Sequence, residues 1–197
     1  MPDKTKAILY MLAGSFSFAA MSAMIKLAGD LPAYEKVFFR GFISAVVVFF
    51  VIRHNKVPLL GKRKNQPYLL LRALLGTTAM SLYFYGVTHM YLADASMLSR
   101  LNPFFVTLFA ALFLKEKLSK VQIPALIIAF GAAMLIIKPE FSLEMLPSLA
   151  IVGAAMFSGG SHTTLRALRG KEAPSTIIFY FAVASTLFVL PFVILNF

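Results

Sequence analysis

The chain contains no cysteine and no tryptophan, only three histidines, and eight acidic residues among 197. Without cysteine there is no disulfide framework, no thiolate metal site and no cysteine nucleophile. No two histidines share a metal-binding spacing, and no histidine–carboxylate pair forms a zinc motif, so neither a metal nor another cofactor is implied. An enzyme needs a nucleophile with its base, paired acids or metal ligands. Ser99 beside Arg100 makes no such pair, and the apolar stretches hold very few acids, so catalysis is a remote alternative. A retinal-type sensor needs a lysine in its last helix, and residues 174–197 have none. Polar runs are scarce too, and none is long enough to separate soluble domains.

What is abundant is apolar sequence. Hydrophobic residues make up 59% of the chain and charged residues 14%, with a mean hydropathy of +0.81. Soluble domains average near half apolar and about a quarter charged. The net charge of +11 comes from 19 Lys+Arg. Those residues cluster between apolar blocks, as membrane-flanking loops do, which argues against nucleic acid and for a lipid bilayer as partner. A helix crossing the hydrocarbon core needs about 20 apolar residues. That template predicts seven spans, roughly 6–28, 34–53, 67–89, 93–115, 120–138, 145–167 and 174–196. The runs are too long and continuous for barrel strands. The first is too long for a signal peptide's core and is read as a retained helix.

Punctuation supports these cuts. Pro67, Pro147 and Pro174 stand where helices can start. "SKVQ" has capping-box spacing before the fifth span, and Asp94 is placed to cap the fourth. With the N-terminus in the cytoplasm, most of the 19 basic residues, Arg72 among them, fall on the inner side. With no tryptophan, Tyr10, Tyr34, Tyr68 and Tyr91 are left to supply the interfacial belt.

The remaining cations are the informative ones. Lys26, Arg40 and Arg100 fall within or near the ends of spans one, two and four, clustered toward the outer side. Arg100 is about 10 Å along its span at 1.5 Å per residue. A cation at membrane depth costs at least about 2.5–3.5 kcal/mol and usually faces a cavity or a partner. Arg100 therefore pairs with Asp94 or Glu35, meets an anionic solute, or snorkels to the interface. Pro103 removes a backbone bond and is expected to kink span four beside Arg100, as packing device or hinge. Asn102 and Tyr83 are candidate cavity walls, and His162, with Ser161 and Thr163, is a candidate further along. Glu116, among Lys115, Lys117 and Lys120, reads as an interfacial charge cluster or an inner gate. Small residues at Ala125–Ala129–Ala133 and Ala155–Gly159 allow close helix approach.

Shifting the sequence by 140 lays Lys26 on Arg166 and "YEKVFFRGFISAVVVFF" on "PSTIIFYFAVASTLFVL". The match is chiefly one of hydropathy and aromatic placement. A period of five spans inverts the second copy, as in secondary transporters that hold solute near the midplane. The expected domains are residues 1–140, a five-helix repeat, and 141–197, the first two helices of an incomplete second one.

"FFRGF", "ADASML", "LNPFFVTLFAALFLKEKLS" and "AFGAAMLIIKP" together resemble the drug/metabolite transporter superfamily, EamA type. The resemblance runs over essentially the whole chain. It implies an all-α, multi-pass bundle of the 5+5 inverted-repeat kind, here truncated to about seven helices. It further implies alternating-access transport of small metabolites, amino acids or related solutes, across the plasma (inner) membrane, with a homodimer left open. Arg40, Arg100, Tyr83, Asn102, Lys26 and His162 are then the expected substrate residues, and Pro103, Glu116 and Asp94 gating or structural ones. The alternative is a non-transporting membrane fragment or scaffold, or, more remotely, a seven-helix receptor.

Overall fold

The computed structural model describes residues 3–29, 31–115, 121–137 and 145–196. Among them every long element is an α-helix. They are α1 (Asp3–Leu27), α2 (Ala33–Asn55), α3 (Gln66–His89), α4 (Leu92–Ser99), α5 (Asn102–Leu114), α6 (Gln122–Ile137), α7 (Leu146–Leu168) and α8 (Pro174–Asn196), with one 3₁₀ turn at Arg63–Asn65. Counting α4 and α5 as the single stretch Leu92–Leu114, seven rods result. Helices of 23 to 25 residues, such as α1 and α2, extend about 35–38 Å and can cross a hydrocarbon core of about 30 Å.

The distribution of side chains is that of a protein whose solvent is lipid. Phe16, Met24, Phe50, Phe113 and Leu187 point outward, whereas Thr77, Ser161, Thr163, Thr176 and Ser185 are buried. The buried hydroxyls do not compete with the helices. Thr77 donates to the Ala73 carbonyl at 2.8 Å and Thr163 to that of Gly159 at 2.9 Å, each one turn back. Three stretches, Thr5–Leu27, Leu92–Leu114 and Pro174–Leu195, are apolar and long enough to cross a membrane on composition alone. Helices α2, α3 and α7 carry Arg40, Arg72 and His162 among their apolar residues.

Helix α3 packs along α7, α2 along α8, and α5 against α7. One apolar cluster joins them through Val37, Phe84, Val87, Leu98, Phe105 and Ile151. Glycines set the close crossings. A Cβ on Gly159 would lie 2.5 Å from the Phe105 Cβ and 3.0 Å from α5 backbone, and one on Gly86 would lie 2.5 Å from Ile151. Pro67 and Pro147 stand in the first turns of α3 and α7, and Pro174 opens α8, as expected.

Two expectations are corrected. Span four is not one kinked helix: it breaks into two, and Pro103 lies in the first turn of α5 rather than inside a helix. Asp94 does not cap α4. The capping position is Tyr91, with no side-chain cap bond, and Asp94 lies within the first turn. Arg72, counted with the inner-side cations, lies inside α3, within the span expected for it. Glu116, Lys117, Ser119 and Lys120 fall outside the described residues, as do the side chains of Ala129 and Ala133.

Candidate functional site

The break in span four starts at Arg100. Its N–H donates to Met97 O and that of Leu101 to Leu98 O, both at 3.1 Å, so α4 tightens into three-residue steps and stops. Asn102 and Pro103 then open α5. Proline lacks an N–H, and at a helix start none is needed. The N–H groups of Phe104 and Phe105 both reach the Leu101 carbonyl, at 3.0 and 3.2 Å, and Thr107 donates its hydroxyl to Pro103 O at 2.9 Å. Half-helix ends at membrane depth are tolerated where they border a cavity.

They border one here. A hollow of about 660 Å³, open on one side, is lined by α1, α2, α3, the α4–α5 break, α7 and α8. Its wall includes Arg40, Arg72, Tyr83, Arg100, Asn102, Pro103 and His162. Of the sequence-derived candidates, this brings together Arg40, Arg100, Tyr83, Asn102, His162 and Pro103. It leaves out Lys26, whose ammonium donates to Thr88 O at 2.9 Å and Met90 O at 2.8 Å, tying α1 to the C-terminal end of α3. Asp94 lines neither this hollow nor a pair with Arg100.

The three arginines are held differently. Arg40 reaches across from α2 to the Met80 sulfur on α3. Arg72 donates from Nη1 to the Ser161 hydroxyl at 2.6 Å, and that hydroxyl donates to the Arg72 carbonyl at 2.9 Å. Its guanidinium lies 4.7 Å from the centre of the Phe181 ring. Gly76 makes room for this arrangement, because a Cβ there would stand 2.5 Å from Arg72 Nη1. Arg100 is exposed to the hollow and, among the described residues, has no side-chain hydrogen bond or ion pair. It also borders a second hollow of about 610 Å³ between α1 and α4, lined by Ser15, Ser22, Ser96 and Ser99.

Tyr83 lines the first hollow and reaches Ser22, which lines the second. Its hydroxyl shares a 2.9 Å hydrogen bond with Ser22, and its ring packs on Phe18 at 5.7 Å. His162 turns Nδ1 to the Ser158 carbonyl at 3.0 Å, leaving its other nitrogen for the cavity. Among the described residues, two buried side-chain atoms have no hydrogen-bond partner: Arg72 Nε and Asn102 Oδ1. Arg72 is the residue that sequence reasoning missed. A signal was present in "LLLRALLG", where an arginine has apolar neighbours on both sides, but its nearness to the basic loop made it count as a flanking charge. Among the described residues there is no cluster of His, Asp or Glu that could hold a metal.

The model of the EamA-like transporter family matches residues 5–138. The chain belongs to this family. It is 38% identical over 191 residues to the pseudopaline exporter CntI of Pseudomonas aeruginosa, covering 95% of this chain and 66% of the exporter. It is 29% identical over 190 residues to solute carrier family 35 member G1 of Homo sapiens, covering 89% of this chain and 52% of that protein. It is also 25% identical to a riboflavin transporter of Vibrio cholerae, covering 91% of this chain and 62% of the relative. The chain thus spans between about half and two thirds of the length of these relatives. No solved structure matches it. It is a multi-pass helical membrane protein of a transporter family.

Proposed function

We propose that this chain forms all or part of a secondary transporter that moves small metabolites, amino acids or related solutes, across the plasma membrane by alternating access. The N-terminus lies in the cytoplasm, where the basic loops then face the inner leaflet. One observation carries the reading: a span broken at Arg100 and Asn102 opens onto a hollow large enough for a small solute, with arginines on its wall. Arg40 and Arg100 recognise an acidic group of the solute, and Tyr83, Asn102 and His162 shape its seat. Names of relatives support the transport class, since exporters and transporters of different solutes are among them.

Helices α7 and α8 are read as the start of a second, inverted copy of α1 and α2. In support, α2 and α8 are both 23 residues long, their ends lie 141 positions apart, and they pack on each other. Solute movement would then come from rocking of the α1–α6 side against the α7–α8 side around the hollow. The test is flux of a solute panel through vesicles carrying the protein or its Arg100→Ala variant. A loss of flux for acidic solutes of tenfold or more is expected. Unchanged flux for every carried solute would remove Arg100 from the site.

A further inference from the structure

Three guanidinium groups border the hollow and no carboxylate does: its described lining holds Arg40, Arg72 and Arg100 but neither Asp nor Glu. Among the described residues the cations have only neutral partners. Arg40 meets a thioether, Arg72 a serine and a ring face, and Arg100 nothing among the described side chains. Charge in such a place is costly unless compensated. A solute with one acidic group could neutralise one of the three and would leave the other two uncompensated. Moreover, Arg72 Nε is a buried donor without an acceptor, and Asn102 Oδ1 a buried acceptor without a donor. Such orphaned atoms discriminate strongly, because a ligand that leaves them unpaired forfeits their hydrogen bonds.

We propose that the cavity takes a multiply charged organic acid, with at least two acidic groups and an N–H or O–H donor. This rests on the transport reading above and specifies its solute class. Two acidic groups engage the guanidiniums, whose planar forks suit both carboxylate and phosphate. A solute hydroxyl or amine donates to Asn102. The volume of about 660 Å³ accommodates a molecule larger than a simple amino acid.

The test is thermal unfolding of the detergent-solubilised chain at constant ionic strength with propanoate, succinate, propane-1,2,3-tricarboxylate, citrate and inorganic phosphate. Ligand binding to the native state raises the midpoint, and at equal concentration more for the tighter ligand. The expected order is citrate, the hydroxyl-free tricarboxylate, succinate, propanoate. Phosphate above succinate would assign the acidic groups to phosphate chemistry and keep the proposal's multivalent character. Arg72→Gln should weaken citrate binding tenfold or more, while Lys64→Gln on the basic loop should not. Asn102→Ala should abolish the advantage of citrate over the hydroxyl-free acid. Equal shifts from propanoate and citrate, equal losses in the Arg72 and Lys64 variants, or no shift from any acid would overturn it. Vesicles that carry only neutral or singly charged solutes would overturn it while leaving transport intact. The expected ranking without flux in vesicles would instead sink the transport reading alone.

Discussion

Gly76 lies one helical turn from Arg72 on the same face of α3, and its missing side chain is what the guanidinium occupies. A methyl group there would stand 2.5 Å from Arg72 Nη1, 2.8 Å from the Phe181 ring and 3.0 Å from the Ser161 hydroxyl. Gly76→Ala should therefore push Arg72 off Ser161. If the displaced guanidinium loses its hydrogen bond to the solute, worth about 1.5–3 kcal/mol, solute affinity should fall about tenfold or more. Gly14→Ala, whose Cβ would meet nothing within 4 Å, is the matched control. Equal affinities in the two variants would show that the seating of Arg72 does not matter to binding. Legibility differed among the arginines for a physical reason. Arg40 and Arg100 fall well inside apolar runs, so their cost is visible from composition. Arg72 follows a run of lysines and arginines within a few residues, and position along the chain does not tell a snorkelling arginine from one turned inward. Lys26 looked like its companions, yet its ammonium finds two carbonyls at the end of α3. Carbonyl acceptors at a helix end are set by tertiary placement, which no local pattern reveals.

The helices themselves were far more readable, because lipid imposes length and apolarity on each span. The prolines at the starts of α3, α7 and α8 marked their boundaries. The break between α4 and α5 was foreshadowed by Asn102 and Pro103 but misjudged in kind. A proline can kink a helix or begin one, and the outcome depends on whether the preceding carbonyls find other donors. Here they do, through the three-residue steps at Arg100 and Leu101. What holds α5 in place is its crossing with α7 at Gly159. A Cβ there would meet Phe105 at 2.5 Å and α5 backbone at 3.0 Å, and backbone cannot yield as a side chain can. Gly159→Ala should cost about 1–3 kcal/mol through overpacking and lower the unfolding midpoint by several degrees, about 2–4 °C per kcal/mol at this chain length. Gly153→Ala on the same helix meets only Leu82 at 3.4 Å and should leave the midpoint within a degree or so. A Gly159→Ala protein as stable as the control would show that α5 slides freely on α7. Because α5 carries Asn102 and Pro103 at its cavity end, such sliding would also move the solute seat.

At the scale of the whole molecule, both ends of the bundle are tied by single charged side chains. At one end Lys26 joins α1 to α3, and Lys36 reaches the Gly29 carbonyl and the Thr88 hydroxyl. At the other, Glu172 in the α7–α8 turn accepts from Lys62 N–H at 2.8 Å and Asn65 Nδ2 at 2.6 Å, while Thr176 donates to Pro58 O at 2.7 Å. The second tie joins the loop before α3 to the turn before α8, so it spans the proposed rocking interface at the basic end. Removing the carboxylate leaves two donors in need of water. Glu172→Ala should cost about 1.5–3 kcal/mol, read as a midpoint lowered by roughly 3–12 °C. Glu172→Gln keeps one oxygen that can accept and should lose about half as much. The two variants together separate a structural brace from a moving gate. A brace that stays closed through the cycle predicts that flux falls only in step with the folded fraction. If the tie must break for the basic end to open, Glu172→Ala should hasten flux per folded molecule even as stability drops, and Glu172→Gln should lie between. Neither change in midpoint nor change in flux would mean that α8 is positioned by its packing on α2 alone.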